Sequence, residues 1–126
     1  MKLMLAVAAG GALGSLARYL LSGQVGRLLG IGFPWGTLVV NILGSFVMGV
    51  LVELLALRWS VSPELRAFLT VGILGGFTTF SAFSLEVALL LERGQTVAAA
   101  TYVVASVALS VGALFLGLML LRELLA

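Results

Sequence analysis

The sequence contains no cysteine and no histidine, and only 10% of its 126 residues carry a charge. Without cysteine the chain has no disulfide, no thiol chemistry and no thiolate metal site. Without histidine it also lacks the commonest proton shuttle and metal ligand. The sequence shows no Walker-type loop, no His-Glu-x-x-His motif and no Ser/His/Asp set. These absences exclude most catalytic templates, so the sequence does not predict an enzyme.

The composition is that of an integral membrane protein. Hydrophobic residues make up 62% of the chain, its mean hydropathy is +1.26, and a soluble domain would carry about 25% charged residues. The net charge of +2 and the lack of a basic cluster argue against a nucleic-acid partner. A membrane-spanning helix needs roughly 20 apolar residues, so residues 1–126 form a single domain of about four spans. Because four helices rarely enclose a pathway alone, we expect an oligomer in the lipid bilayer.

Hydrophobic patterning and turn residues predict where the spans lie. The first span is expected at residues 3–21, followed by a glycine-rich loop at residues 22–33. The other three are expected at residues 35–57, 65–91 and 96–121. Pro34 suits the first turn of the second span, and Ser62 is a good N-cap for the third.

The third span holds the most unusual stretch of the chain. Gly72, Gly75 and Gly76 fall within five positions and are followed at once by hydroxyl residues and phenylalanines. Glycine is about 1 kcal/mol worse than alanine in a helix interior, so we expect the helix to break at these glycines. A broken backbone is tolerated in a membrane only where it is buried in protein or lines a polar cavity. The sequence therefore predicts an all-α membrane protein of four transmembrane helices with a functional break in the third.

Polar and aromatic residues recur at helical spacing on three of the spans. The second span repeats Thr37, Asn41 and Ser45, the third carries the row Phe77, Phe80, Phe83 and Glu86, and the fourth repeats Tyr102, Ser106 and Ser110. Such stripes either form interhelical hydrogen bonds worth about 0.6 kcal/mol or line a pathway, and for the second span both readings stay open.

The available donors favour an anion over a cation. They are mostly neutral: Thr37, Asn41, Ser81, Ser84, Tyr102, Ser106 and Ser110, with Arg18 as the one cation. Phenylalanine ring edges carry the positive part of the aromatic quadrupole and also suit an anion. Carboxylates, which mark cation and proton pathways, are few, and Glu86 alone is expected inside a span. For Arg18, an interfacial position beside Tyr19 is favoured over a place at the mouth of an anion pathway.

The charged residues at the ends of the spans are nearly balanced between the two sides. Lys2, Arg58, Arg66 and Arg122 fall on one side, and Arg18, Arg27 and Arg93 on the other. Membrane orientation depends on this bias, so we hypothesise insertion in both orientations and an antiparallel homodimer with its two-fold axis in the membrane plane.

Three segments carry a resemblance to a known family. Residues 10–19, 34–41 and 75–84, in this order within a four-span chain, resemble the Fluc/CrcB family of fluoride channels, over essentially the whole length. The resemblance implies a multi-pass protein of the bacterial inner membrane that forms an antiparallel, dual-topology homodimer with two pores. It also implies passive export of fluoride, which would otherwise poison cytoplasmic enzymes.

The resemblance further implies roles for individual residues. Phe80 and Phe83 would be ring-edge fluoride ligands, and Asn41 the pore-lining amide. The carbonyls of Gly75 and Thr78 would hold a structural sodium ion at the dimer centre. The polar track would be Tyr102, Ser106 and Ser110, and further pathway or vestibule candidates are Thr37, Thr79, Ser81 and Arg18.

Two other functions compete with a channel. A small proton-coupled exporter similar to the four-helix multidrug-resistance transporters would need a carboxylate in the first span, which has none, so Glu86 would have to serve. A structural subunit without transport activity is the third possibility.

Overall fold

A computed structural model describes residues 1–125, and all regular structure in this range is helical. The first two spans are α1 (Lys2–Leu29) and α2 (Trp35–Leu57). The third span, Pro63–Glu92, is divided into α3 (residues 63–77) and α4 (Phe80–Glu92), and the fourth is α5 (Thr96–Leu125). All four spans are long and apolar enough to cross a membrane, which confirms the predicted four-span architecture.

The first helix is longer than the sequence suggested. It continues to Leu29 instead of ending near residue 21, and ends at Gly30, whose φ of 91° suits glycine. Two glycines of the predicted loop, Gly23 and Gly26, lie inside the helix. The prediction was wrong because single glycines weaken a helix by about 1 kcal/mol each without forcing it to end. Arg18 consequently lies well inside α1 and not near its end.

The third span breaks, but after its glycines. Residues 63–77 stay helical, with a π-helical stretch at Phe68–Leu74. The backbone becomes extended at Thr78 (φ −86°, ψ 157°) and Thr79 (φ −151°, ψ 123°), and α4 starts at Phe80. The predicted break is therefore confirmed, whereas its placement at Gly72 to Gly76 was wrong.

The glycines instead let α1 and α3 approach each other closely. A Cβ added to Gly72 would lie 2.8 Å from the Cα of Gly10, and one added to Gly76 would lie 2.7 Å from the carbonyl oxygen of Gly11. Gly10 and Gly14 are buried against α3. Gly10 and Gly14 lie four residues apart on one face of α1, and the glycines of α3 pack against them.

On the other side of the molecule, α2 packs along α5. A Cβ on Gly117 would lie 2.5 Å from the carbonyl oxygen of Phe46, so these helices also touch through their backbones. Glu53 is buried and accepts a hydrogen bond from Nε of Arg122 at 3.0 Å, which joins the ends of the two helices. A small apolar core lies between α2, α4 and α5 and contains Leu38, Phe83, Leu90, Ala99 and Tyr102.

The break also removes Phe77 from the row of residues predicted on the third span. Two extended residues separate it from Phe80, so it belongs to α3 and packs beside Gly44, whose added Cβ would lie 3.1 Å from its ring. The row that continues on α4 is Phe80, Phe83 and Glu86.

The substitution Gly14→Ala tests the close packing of α1 on α3. The new Cβ would meet the backbone of Ile73 and Phe77, with the Phe77 nitrogen at 2.9 Å, and we expect a loss of about 1–3 kcal/mol in unfolding free energy. Gly11→Ala is the matched control, because it gains the same helix propensity and no atom lies within 4 Å of its added Cβ. Denaturant titration in mixed micelles measures both, and equal stability of the two variants would contradict the packing.

Candidate functional site

Asn41 of α2 binds both backbone groups of Thr79 at the break. Its Nδ2 donates to the Thr79 carbonyl at 3.0 Å, and the Thr79 N–H donates to its Oδ1 at 2.8 Å. A backbone interruption inside a membrane must have its polar groups satisfied internally, and this side-chain amide does so for Thr79. The hydrogen-bonding interpretation of Asn41 is thus confirmed, and the position of Asn41 beside a cavity keeps the pathway interpretation open.

The two threonine hydroxyls of the break have their own partners. The Thr79 hydroxyl accepts from the Ala82 N–H at 3.1 Å and so caps α4, and it lies 3.3 Å from the Ser81 hydroxyl. The Thr78 hydroxyl donates to the Leu74 carbonyl at 3.0 Å.

Two carbonyls lose their usual helical partners as a result. In a continuous helix, the Gly75 carbonyl would accept from the N–H of residue 79 and the Thr78 carbonyl from that of residue 82. Those N–H groups donate instead to the side chains of Asn41 and Thr79. The oxygens of Gly75 and Thr78 are therefore released from the helical ladder at the break.

Arg18 contacts the break from the first helix. Its Nε donates to the Gly76 carbonyl at 3.1 Å, and the side chain is half-buried. The interfacial position favoured for Arg18 was wrong, because α1 extends to Leu29 and leaves this residue beside the break. The neighbouring Tyr19 is 74% exposed.

A cavity of about 280 Å³ lies beside the break, between α2, α4 and α5. The hydroxyls of Ser106 and Ser110 are buried and have no hydrogen-bond partner among the described residues, so both are free to donate into it. The rings of Phe80 and Phe83 also line it, with centroids 5.3 Å apart and planes tilted by 47°. Phe83 is buried (8% exposed), whereas Phe80 is 76% exposed at the open edge.

Glu86 lies one turn beyond Phe83 and holds two further residues that the sequence singled out. The Thr37 hydroxyl donates to its Oε2 at 3.1 Å, and the Tyr102 hydroxyl donates to its Oε1 at 2.9 Å. Tyr102 is fully buried, and its ring packs on Phe83 with centroids 5.1 Å apart. Both hydroxyls thus bind a carboxylate, an arrangement the sequence analysis missed although Glu86 lies at i+3 from Phe83 on the same face.

The structure places the predicted site residues in three groups. The cavity of about 280 Å³, called the donor cavity from here on, is lined by Asn41, Phe80, Phe83, Ser106 and Ser110. Around Glu86 lie Thr37 and Tyr102. At the break and its outer surface lie Arg18, Gly75, Thr78 and Ser81.

These features define a class of protein: a four-span helical membrane protein with a polar break in its third span beside a cavity of hydrogen-bond donors. The chain belongs to the CrcB family, since the family described as "CrcB-like protein, Camphor Resistance (CrcB)" matches residues 5–118. The resemblance found in the sequence is thereby confirmed.

Curated relatives agree with this assignment. The chain is 62% identical over 126 residues, with 100% of both chains covered, to the fluoride-specific ion channel FluC of Rhodospirillum centenum. It is 58% identical over 122 residues to the protein of the same name from Chelativorans sp., covering 97% of this chain and 98% of the relative. It is 56% identical over 121 residues to FluC 1 of Nitrobacter hamburgensis, covering 96% of each chain.

Replacing Asn41 by leucine tests its role at the break. Asn41→Leu leaves the N–H and carbonyl of Thr79 without their partner, and an unpaired buried polar group costs about 1–3 kcal/mol. Because two groups lose their partner, we expect a fall of about 2–6 kcal/mol in the unfolding free energy, measured by denaturant titration in micelles. Ser45→Ala, one turn along the same face, is the control, because the described structure shows no hydrogen bond from that hydroxyl. If both variants lose the same stability, Asn41 does not hold the break.

Proposed function

We propose that this chain is a fluoride channel that lets fluoride leave the cell passively across the inner membrane. The function is supported most directly by the buried, unpartnered hydroxyls of Ser106 and Ser110, which lie beside the Phe83 ring inside a membrane span. The family membership and the names of the relatives support it.

The cavity has the chemistry needed to replace the water around a small anion. The two serine hydroxyls donate, and Asn41 keeps a second N–H besides the one bound to Thr79. The ring edges of Phe80 and Phe83 carry the positive part of the aromatic quadrupole. They therefore attract an anion without donating a mobile proton. All these donors are neutral, so they stabilise fluoride without trapping it as a full positive charge would.

Thr37 and Tyr102 extend this donor set toward Glu86. We infer that each exchanges its hydrogen bond to the carboxylate for one to fluoride as the ion passes, so that Ser106, Ser110 and Tyr102 form one polar track on α5. Ser81, on the outer surface of the break, and Arg18, behind it, belong to the vestibule in this proposal.

The structure favours a channel over a proton-coupled exporter. An exporter would use Glu86 as its titrating group, yet both oxygens of that carboxylate already accept hydrogen bonds from Thr37 and Tyr102. The first span carries no carboxylate that could take its place.

A second copy of the chain is proposed to cover the break. Gly75, Phe80 and Ser81 are all exposed at this irregular segment, and irregular backbone does not face lipid. An antiparallel copy, related by a two-fold axis in the membrane plane, would bury this surface and complete two pores.

With Arg18 beside the break, the flanking cations count four against two, since only Arg27 and Arg93 remain on the second side. The dual topology therefore rests more on the exposed break than on balanced charges.

The released carbonyls of Gly75 and Thr78 fit a sodium ion at that axis. Unwound backbone carbonyls suit Na⁺, and residues 1–125 contain no cluster of three or more His, Cys, Asp or Glu that could hold a metal. A bound cation would fix the two breaks to each other.

Replacing all sodium by N-methylglucamine should then lower fluoride flux, and unchanged flux in sodium-free vesicles would remove the sodium site from the proposal.

Fluoride efflux from proteoliposomes loaded with potassium fluoride tests the function. With valinomycin added, these vesicles should release fluoride rapidly without any proton gradient, whereas matched vesicles loaded with potassium chloride should retain their chloride. Phe83→Ile and Phe80→Ile should each slow release by up to about tenfold, because an aromatic contact is worth about 0.5–1.5 kcal/mol. Phe115→Ile, an exposed ring on α5 that does not line the cavity, is the control.

Each outcome of this experiment has a clear meaning. No release beyond that of empty liposomes would overturn the channel proposal, and release that requires a proton gradient would favour the exporter. Normal release by both Phe80→Ile and Phe83→Ile, with dimers intact on size exclusion, would remove the ring-edge mechanism alone.

A further inference from the structure

Two further openings lie beyond the donor cavity, and Glu86 lines both. The first, of about 320 Å³, is bounded by α1 and the start of α2 and is lined by Gly23, Thr37 and Glu86 among others. The second, of about 160 Å³, runs along the end of α4 and is lined by Glu86, Leu89 and Arg93. The loop between α1 and α2 separates them, because its residues Ile31 and Pro34 line both openings.

The two openings differ in charge. Arg93 is the one cation among the residues that line either of them, and it lines only the second. Its side chain is exposed. Within residues 1–125 the single ion pair joins Arg122 and Glu53, so no carboxylate in that range neutralises Arg93 at contact distance. Arg27, at the same end of the molecule, is equally exposed but lines neither opening.

We propose that the opening beside Arg93 is the mouth through which fluoride passes between Glu86 and the aqueous phase. This inference rests on the proposed channel function. A small anion near Glu86 is repelled by the carboxylate. The positive charge of Arg93 lies at an opening that Glu86 also lines, and it offsets this repulsion. A cation in a cleft with apolar walls also concentrates anions and raises their rate of entry, and the second opening has such walls in Leu89 and Leu90.

Charge neutralisation tests the role of Arg93. In the proteoliposome assay at low ionic strength, Arg93→Gln should reduce fluoride flux by about threefold or more, and Arg93→Lys should restore most of it. Raising the ionic strength with an impermeant salt to roughly 0.5 M should shrink the deficit, since exposed charges are screened over a few ångströms at that concentration. Arg27→Gln removes the same charge at the same end and should leave the flux near that of the unaltered protein.

Steric blocking separates the two openings independently of charge. Gly32 lines only the opening beside Arg93 and Gly23 lines only the other, and no atom lies within 4 Å of a Cβ added at either residue. Gly32→Trp should therefore reduce fluoride flux strongly, whereas Gly23→Trp should reduce it little, with assembly of both checked by size exclusion.

The results distinguish this inference from the function on which it rests. If Gly23→Trp blocks as well as or better than Gly32→Trp, or if Arg93→Gln behaves like Arg27→Gln at low ionic strength, the mouth is not the opening beside Arg93. In both cases the unaltered protein still conducts fluoride. If the unaltered protein releases no fluoride, the proposed function itself fails.

Discussion

The reciprocal pair of hydrogen bonds between Asn41 and Thr79 is the interaction on which the rest of the site depends. Without it, a membrane span would expose an unpaired N–H and carbonyl, each at a cost of several kcal/mol in lipid. With it, the third span can interrupt its helix and start again as α4 from a Thr79 cap. The same pair releases the Gly75 carbonyl from the helical ladder and places Phe83 beside the donor cavity. One side-chain amide thus supports both the cation and the anion chemistry proposed here.

The opposite side of the break is held by α1. Backbone contacts at Gly10, Gly14, Gly72 and Gly76 bring the two helices together, and Arg18 donates to the Gly76 carbonyl just before the interruption. The glycines therefore work as a packing surface, and the break follows where that surface ends. This arrangement explains why the segment can be irregular and still well positioned.

The sequence predicted the four spans, the broken third helix and the family. Hydropathy, hydroxyl residues at helical spacing and the three motifs are local patterns, so they can be recognised without the tertiary structure. The sequence did not predict where the break lies. Glycine both weakens a helix and permits close helix packing, and which of these two effects operates here depends on the position of α1. The end of α1 and the place of Arg18 were wrong for the same reason. Glu86 was recognised as the carboxylate inside a span, but its bonds to Thr37 and Tyr102 depend on how α2, α4 and α5 pack.

We propose that two copies of the chain meet at the break. The natural absence of cysteine allows a direct measurement with Gly75→Cys and Val104→Cys, which introduce single thiols at an exposed residue of the break and at an exposed residue of α5. Both proteins are treated in membranes with a short thiol-reactive cross-linker. If two copies meet at the break, Gly75→Cys should form a covalent dimer and Val104→Cys should stay a monomer. A monomer for Gly75→Cys, or equal cross-linking of both, would contradict it.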